Sequence, residues 1–319
     1  MTIAWVIGSG GLLGSALCRA LRSNGTQLFS PAQRFCWGHA SELESQLAAA
    51  VQSFAAQVGT ADRWEIYWAA GVGTMGSAAS VLTPETDAFA HLLKQIEIEA
   101  RLSATHGTLI LASSAGAIYA GCTDEIIDDD THTLPTTPYA HEKLKQEDLL
   151  RAFALKRKTI SVLLARISTL YGPGGAIGKQ QGLITHIARC MLQNKPIQIY
   201  VPLDTIRDYI TADDAAAMIV AKLRKVSQRP GVYTRIIASE QPTTIAEIVS
   251  IYKRITRRNP RIVTSASKLS SVYSRRIQFR TNAVSESARV PRTSLIVGIA
   301  RVMAAERSTY TNAPKLLLK

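Results

Sequence analysis

"IAWVIGSGGLLGSALCRALRSNG" (3–25) is the stretch of the chain that decides its fold. It begins as an apolar run that predicts a buried strand, and it ends with apolar side chains at helical spacing, closed by Gly25. A glycine-rich loop separates the two parts and lets the backbone approach a pyrophosphate, which the free N–H groups at the start of the helix attract. We predict a dinucleotide site here, against the alternative of an unliganded tight turn, with contacts from Gly8, Gly11, Leu12, Leu13 and Gly14.

The rest of the first half repeats this alternation of strand and helix. Apolar runs that predict strands stand at 27–29, 64–70, 108–114 and 160–166. Helical patterns lie between them at about 41–58, 84–104 and 138–156. Strands that alternate with helices of this length form βαβ units, so we predict an α/β fold with a Rossmann-type doubly wound parallel sheet. Ligands bind beyond the carboxyl ends of the strands of such a sheet.

The pattern changes near residue 170, where "YGPGG" interrupts the alternation and the later segments become shorter. We predict that residues 1–170 form the dinucleotide-binding domain and that 204–226 returns to it. The remaining parts, 171–203 and 227–319, are predicted to form a smaller, mostly C-terminal α/β domain that binds the substrate.

The region after the second predicted strand bears on the choice between NAD and NADP. A site selective for NAD usually has a carboxylate about 20 residues past the glycine loop, bound to the ribose 2′-OH. No Asp or Glu occurs before Glu42, and Ser30 and Arg34 occupy the region instead. A guanidinium without a carboxylate suits a 2′-phosphate, so the predicted cofactor is NADP or NAD, with a slight preference for NADP. The alternative is that Arg34 stacks on the adenine or faces solvent.

The composition is that of a globular protein, since 46% of the 319 residues are hydrophobic and 19% are charged. No run reaches the ~18–20 apolar residues of a membrane span, and the apolar start, interrupted by glycines and without a preceding basic residue, is unlike a signal peptide. Cysteines 18, 36, 122 and 190 contain no CxxC pair, which predicts free thiols in a reducing cytoplasm. The acidic run 128–130 is predicted to be solvated, and no metal site is predicted.

The net charge of +13 is concentrated in one part of the chain. From residue 251 onward there are 15 Lys and Arg residues against only Glu286 and Glu306, while the first 250 residues sum to zero. A basic part of this kind attracts an anionic ligand, or it forms a solvated or partner-binding surface. Nucleic acid is not expected, because the basic residues are dispersed, few aromatics accompany them and no nucleic-acid motif is present.

"TTPYAHEKLK" (136–145) places Tyr139 and Lys143 one helical turn apart at a predicted helix start. An ammonium group lowers the pKa of a neighbouring phenol, which then exchanges a proton with a substrate alcohol or carbonyl more readily. A predicted strand ends at Ser114, 25 residues earlier, and this hydroxyl can bind the same substrate oxygen. We predict Ser114, Tyr139 and Lys143 as catalytic residues beside a nicotinamide that exchanges the hydride. The alternative is a chance pair on a helix surface.

With these residues the chain resembles the extended short-chain dehydrogenases/reductases, the NAD(P)-dependent epimerase/dehydratase group that acts on nucleotide sugars. Four further stretches carry the resemblance in the expected order: "WAAGVG" (68–73), "LLARISTLYGPGG" (163–175), "RDYITADDAAA" (207–217) and "VPRTSLIVGIARVM" (290–303). The resemblance covers the chain to about residue 305. It implies a homodimer formed through the helical segments 84–104 and 138–156.

The resemblance also implies roles for single residues. Tyr139 is then the acid–base, and Lys143 holds the nicotinamide ribose. Further cofactor contacts are implied for Ala69, Ala70, Gly71, Ser113 and Arg166, with Ser113 also the alternative to Ser114. Substrate contacts are implied for Val72, Ser114, Thr169, Arg207, Arg275 and Arg276. Arg207 is expected to contact a phosphate, unless it pairs with Asp208 or Asp213.

Two departures from the family pattern bear on the reaction. Thr169 stands where the family has an asparagine that often touches the substrate diphosphate. Ala115 and Gly116 stand where dehydratases carry an Asp-Glu pair, so dehydration is disfavoured. We predict an enzyme that transfers a hydride to or from a nucleotide-activated sugar, as a keto-sugar reductase or a 4-epimerase. The alternatives are a non-catalytic NAD(P)-binding sensor or scaffold and a reductase of a non-nucleotide carbonyl compound.

Overall fold

The computed structural model describes residues 2–59, 61, 63–157, 159–174, 182–226, 229–265, 276–281 and 292–312. The strands are β1 (Thr2–Ile7), β2 (Gln27–Phe29), β3 (Arg63–Trp68), β4 (His106–Ser114), β5 (Ile160–Ile167), β6 (Thr169–Tyr171), β7 (Ile197–Ile199), β8 (Ile206–Thr211), β9 (Gly231–Ile237), β10 (Pro242–Thr244) and β11 (Ile262–Thr264). The helices are α1 (Leu12–Ser23), α2 (Ala40–Val58), α3 (Ala79–Ile98), α4 (Ala100–Ala104), α5 (Ala115–Ile118), α6 (Pro138–Leu155), α7 (Leu183–Leu192), α8 (Ala212–Val226), α9 (Ile245–Thr256) and α10 (Leu295–Asn312).

The central sheet has the strand order β2-β1-β3-β4-β5-β9, and every neighbouring pair in it is parallel. β5 is buried along its whole length, as expected of a strand covered on both faces, and its sequence, ISVLLARI, is accordingly mostly apolar. The predicted Rossmann-type doubly wound sheet is confirmed.

β1 shows how the two faces of the sheet are filled, because side chains alternate along a strand. Ile3, Trp5 and Ile7 pack with α2 and α3 on one face. Ala4 and Val6 pack with α1 and α8 on the other. Because helices cover both faces of the sheet, a ligand binds beyond the carboxyl ends of its strands.

A smaller part of the molecule lies beyond the carboxyl ends of the strands. It contains a three-stranded sheet, β10-β8-β6, and the parallel pair β11–β7. Its core is formed by apolar side chains of α7, α9 and α10, among them Ile187, Ile248 and Ile299.

The structure differs from the predicted domain division at two strands. β9 was assigned to the smaller domain, but it pairs with β5 and forms the outer strand of the central sheet. Pairing with β9 satisfies the backbone of the fully buried β5 on its outer side, since β4 satisfies only the inner one. Within the returning segment 204–226, α8 packs on the central sheet together with Ile210, whereas the backbone of β8 joins the three-stranded sheet.

Cys18, Cys36, Cys122 and Cys190 are all free thiols. In the described ranges, the helices are each too short or too polar to span a lipid bilayer.

Candidate active site

The glycine loop between β1 and α1 is too tight for side chains at two positions. Gly8 has φ +89°, and a Cβ there would lie 2.6 Å from the backbone nitrogen of Ala70. A Cβ on Gly14 would overlap the carbonyl oxygen of Gly8. α1 begins at Leu12 behind Gly11, whose lack of a side chain leaves the first N–H groups of the helix available to a ligand.

A cavity of about 910 Å³ opens in front of this loop, and we call it the glycine-loop cavity. Because β1 and β3 are neighbours, the segments that follow them meet at the same edge of the sheet. The predicted cofactor contacts that line the cavity are Gly8, Gly11, Leu12, Ala69, Ala70 and Gly71. The other two loop positions do not line the cavity: Gly14 packs against the backbone of Gly8, and Leu13 is buried in the core.

The end of the glycine-loop cavity nearest β2 has an aromatic and acidic wall. Trp37 and Glu44 line it, and Trp37 is 44% exposed. The Trp37 ring meets Trp68 edge-on, with 6.0 Å between the ring centroids. Ser30 and Arg34 are exposed, and neither belongs to the described residues that line this cavity. The two residues on which the preference for NADP rested are thus not in the wall.

Tyr139 lies in the first turn of α6, where the predicted start signals are present. The Thr137 hydroxyl accepts a hydrogen bond from the Ala140 N–H at 3.2 Å, and Pro138 is the first helical residue. The half-buried Tyr139 ring packs against Gly73, where a Cβ would lie 3.0 Å from the ring. Gly73 belongs to the wall of the glycine-loop cavity, so the tyrosine borders that cavity.

Lys143 is buried beneath Tyr139, and its ammonium nitrogen lies 5.8 Å from the centre of the tyrosine ring. It donates to Glu85 Oε1 at 2.8 Å and to Gln146 Oε1 at 3.0 Å. Burial works against the charge, yet Tyr139 and the Glu85 carboxylate outweigh it, and the pKa of Lys143 is raised above its usual value. Lys143 therefore stays positively charged beside the tyrosine at neutral pH.

Ser114 is the last residue of β4 and immediately precedes α5. Its hydroxyl makes no hydrogen bond with any residue that the structure describes, and its side chain is only partly buried. It lines a second cavity, of about 980 Å³, which we call the Ser114 cavity. The hydroxyl is therefore available to a ligand in that cavity.

Ser113 and Arg166 have different surroundings. The Ser113 hydroxyl donates to Glu147 Oε1 at 2.7 Å, and the Arg166 guanidinium binds both oxygens of the same carboxylate, at 3.0 and 2.7 Å. Arg166 also donates to the Tyr119 hydroxyl. All of these groups are buried, and they join α6 to β4 and β5. The prediction that Ser113 and Arg166 touch the cofactor finds no geometric support, because their polar atoms are engaged inside the protein.

The Ser114 cavity is electropositive. Arg189, Lys195 and Arg207 line it, and none of the described residues in its wall is acidic. Arg189 forms an ion pair with Glu306, at 2.8 Å. Thr169, for which a substrate contact was predicted, is also part of the wall. Such a cavity favours an anionic ligand.

The two carboxylates proposed as partners of Arg207 make other contacts. Asp208 accepts hydrogen bonds from the Ser168 and Ser239 hydroxyls, at 2.5 and 2.9 Å, and Asp213 pairs with Arg19 at 2.5 Å. Arg207 itself lines the Ser114 cavity, a position that suits the ligand-binding alternative.

The remaining predicted substrate contacts lie elsewhere. Val72 lines the glycine-loop cavity and not the Ser114 cavity. Arg276 is exposed, next to Ile277 in the wall of the Ser114 cavity. Arg275 lies outside the described residues.

Sequence reasoning missed Glu85 and Trp37, which lie in the glycine-loop cavity. Glu85 belongs to no motif, since its role depends on α3 packing against α6. The only signal for Trp37 was an isolated tryptophan in a predicted loop after a strand, and such a signal is weak.

A family model described as the NAD-dependent epimerase/dehydratase family matches residues 4–234 of the chain. The match begins within β1 and includes the glycine loop, Ser114, Tyr139, Lys143 and Arg207.

Curated relatives match over shorter stretches. A dTDP-L-rhamnose 4-epimerase of Burkholderia thailandensis is 34% identical over 125 residues, which are 39% of this chain and 33% of that protein. A dTDP-4-dehydro-6-deoxyglucose reductase of Escherichia coli is 34% identical over 117 residues, 36% of each chain. The chain thus spans about a third of the length of these curated relatives.

The fold as a whole is similar to that of solved structures. A UDP-glucuronic acid 4-epimerase from Bacillus cereus, in complex with UDP-glucuronic acid and NAD, superposes with a TM-score of 0.73 at 19% identity. The superposition covers 97% of this chain and all of the other. At this identity the likeness concerns the fold alone.

Proposed function

The chain belongs to the NAD-dependent epimerase/dehydratase family, and on this premise we propose that it moves a hydride between a nicotinamide cofactor and a nucleotide-activated sugar, as a keto-sugar reductase or a 4-epimerase. The observation that carries the proposal is the placement of Tyr139 and the charged Lys143 beside the glycine-loop cavity, with a free Ser114 hydroxyl in an electropositive second cavity.

The glycine-loop cavity fits a dinucleotide. The absence of side chains at Gly8 and Gly11 leaves space for a pyrophosphate at the start of α1. The tight turn itself requires a glycine at position 8, because a side chain there would strike the backbone of Ala70. From there the cavity extends on one side to Trp37 and on the other to Gly73 and Glu85, next to Tyr139 and Lys143. The nicotinamide half therefore belongs at the Tyr139 end and the adenosine half at the Trp37 end.

Side chains of the protein transfer the proton and orient the sugar. When bound, the nicotinamide accepts or supplies the hydride at the sugar carbon. Tyr139 takes the proton from the sugar hydroxyl, or returns it to the ketone oxygen, next to the buried positive charge of Lys143. Ser114 donates a hydrogen bond to the same oxygen. Elimination of water remains disfavoured, because no acidic residue is among the described residues lining the Ser114 cavity.

Arg207 and Lys195 are the groups that we assign to the diphosphate of the substrate, because both line the Ser114 cavity. The Arg207 guanidinium donates a hydrogen bond to the Ile206 carbonyl at 2.7 Å, which holds the side chain against the backbone of β8. Thr169 offers a hydroxyl from β6 in the same wall, a shorter group than the asparagine of the family pattern.

For the cofactor we propose NAD in preference to NADP. The sequence favoured NADP slightly, on the basis of Ser30 and Arg34, but both are exposed outside the cavity wall. Glu44 is in the wall at the adenosine end, and a carboxylate there repels a 2′-phosphate. We expect NADH to bind at least about tenfold more tightly than NADPH in a calorimetric titration. A tighter complex with NADPH would restore the original preference.

The first experiment is to denature the freshly purified protein and to identify any released dinucleotide by mass and absorbance. An epimerase returns the hydride to the same sugar and retains its cofactor, so stoichiometric NAD⁺ supports that activity. A reductase exchanges its cofactor at every turnover, so a protein that is purified empty and binds NADH from solution supports reduction. If no dinucleotide is released or bound, the proposed function is wrong.

Tyr139→Phe tests the catalytic assignment. Loss of the hydroxyl removes the proton exchange, and we expect turnover to fall about a thousandfold while NADH affinity stays within about twofold of wild type. The non-catalytic sensor or scaffold predicts that wild type and variant are equally inactive with all nucleotide sugars tried. UDP and dTDP as competitors distinguish a nucleotide sugar from a non-nucleotide carbonyl substrate.

We also propose a homodimer, which rests on the family resemblance and on apolar side chains exposed at the ends of α3 and α6. Ile98 is 68% exposed and Leu155 is 86% exposed. Light scattering should give twice the chain mass of 34.6 kDa. A mass of one chain at micromolar concentration would contradict the proposal.

A further inference from the structure

Glu85 is a carboxylate that the assignments above leave without a role. It projects from α3 into the wall of the glycine-loop cavity and pairs with the buried Lys143. The side chains of the pair are only 10% and 6% exposed, so both charges are largely removed from water. A buried ion pair of this kind is weak evidence for stability, because desolvation offsets the attraction between the charges.

The two oxygens of Glu85 have different surroundings. Oε1 accepts hydrogen bonds from Lys143 at 2.8 Å and from the Gln146 amide at 3.2 Å. Oε2 accepts none from the residues that the structure describes, and it lies 2.9 Å from where a Cβ of Gly71 would be. Glu85 lines the glycine-loop cavity, so Oε2 is an acceptor that a ligand in the cavity can reach.

The carboxylate is held in a fixed orientation. Gln146, which binds both Lys143 and Glu85, also donates to the Thr86 hydroxyl at 3.3 Å, and Thr86 donates to Glu142 at 2.8 Å. These contacts join α3 to α6 at the depth of the ion pair. Glu85 is therefore preorganised, and a donor that binds Oε2 does not have to order the side chain first.

The position of the pair specifies the kind of donor. Lys143 and Glu85 lie at the end of the cavity that borders Tyr139, which is the end assigned to the nicotinamide half. The group that joins a nicotinamide to the pyrophosphate is a ribose with two neighbouring hydroxyls. One hydroxyl suits the ammonium as an acceptor, and the other suits a carboxylate oxygen as a donor.

We propose that Glu85 is a further cofactor-binding residue, whose free oxygen accepts a hydrogen bond from the vicinal diol of the nicotinamide ribose while its other oxygen holds Lys143. The inference rests on the proposed function, because it requires the dinucleotide to occupy the glycine-loop cavity. It also accounts for Gly71, since a side chain there would strike the Glu85 oxygens and close the space between them and the ligand.

The test compares ADP-ribose, which carries this ribose diol, with ADP, which lacks the ribose. Both are titrated calorimetrically into wild type and into Glu85→Gln, which keeps the shape of the side chain and removes its charge. We expect the ratio of the ADP-ribose Kd to the ADP Kd to rise about tenfold in the variant, because a hydrogen bond to a charged group is lost. The ratio removes changes that are common to both ligands, and titration at high salt suppresses the extra attraction of ADP, which carries about one more negative charge than ADP-ribose.

Glu97→Gln is the matched control, because it makes the same substitution near the other end of α3, where Glu97 pairs only loosely with Lys156 at 3.7 Å. Its Kd ratio should equal that of wild type. If Glu85→Gln does not fold, Glu85→Asp replaces it, since the shorter side chain keeps the charge but withdraws the oxygen, and the same rise in the ratio is expected.

An unchanged ratio in the Glu85 variant would overturn the inference, and so would an equal rise in Glu97→Gln. Failure of wild type to bind ADP-ribose at all is a different result, since it contradicts the proposed function and not the role of Glu85.

Discussion

The fluorescence of Trp37 can be used to follow ligand binding in the glycine-loop cavity. All four tryptophans lie in the described part of the chain, and Trp5, Trp64 and Trp68 are buried while Trp37 is 44% exposed in the cavity wall. Adenine stacks well on an indole ring. We expect ADP to quench the tryptophan fluorescence in wild type and not in Trp37→Phe, which retains an aromatic surface and most of the affinity.

Trp37→Ala removes the stacking surface, so the ADP Kd should rise about tenfold. Trp37→Phe serves as its control, because it separates the loss of the surface from the loss of the fluorophore. Quenching that persists in both variants would place the adenine away from Trp37.

Single residues also mark the limit of what the sequence predicts. Ser114, Tyr139 and Lys143 were identified because their chemistry and spacing are recognisable along the chain. Glu85 was not, because it acts through a contact between α3 and α6 that no local pattern encodes. Conversely, Ser113 looked equivalent to Ser114, but successive side chains of a strand point to opposite faces, and Ser113 faces Glu147.

At the level of elements, the β1–loop–α1 unit depends on Gly14. A Cβ there would overlap the Gly8 carbonyl oxygen, so Gly14→Ala should lower the free energy of unfolding by about 2 kcal/mol and weaken dinucleotide binding. Gly10→Ala is the control, because nothing lies within 4 Å of a Cβ at that position. Chemical denaturation measures both, and equal stability of the two variants would contradict this account.

A second prediction concerns the network that joins α6 to β4 and β5. Glu147→Gln leaves the buried Arg166 guanidinium without its counter-charge, so the free energy of unfolding should fall by about 3 kcal/mol. Asp148 is the next residue of α6 and is exposed, so Asp148→Asn should change the free energy of unfolding by less than about 0.5 kcal/mol. A small effect of Glu147→Gln in urea denaturation would mean that water replaces the carboxylate.

Most elements of the central sheet follow from apolar runs and helical periodicity, and their boundaries agree to within a few residues. The helical segment predicted at 84–104 differs from the structure at its start. The helix instead begins at Ala79 and continues through Pro84. The apolar face of α3 packs against the sheet, and this packing tolerates a proline in the second turn.

For the whole molecule, the electropositive Ser114 cavity predicts a dependence on salt. Arg207→Ala should raise the Kd for UDP about tenfold, and the wild-type Kd should itself rise between 0.05 and 0.5 M NaCl. Arg254→Ala removes an equal charge from the exposed side of α9 and should leave the Kd nearly unchanged. Equal effects of the two variants would indicate a diffuse field and no specific phosphate contact.

The order of the chain within the smaller part has a consequence for its synthesis. β7 at 197–199 pairs with β11 at 262–264, and α7 packs against α10, which begins at Leu295, so both partners are synthesised later. At ~5–20 residues per second, on the order of 5–20 seconds separate α7 from its partner as the chain leaves the ribosome. During that interval Ile184, Ile187 and Met191 have no complete surface to cover them. We therefore expect the nascent chain to need chaperone protection late in translation, after most of the central sheet has already emerged.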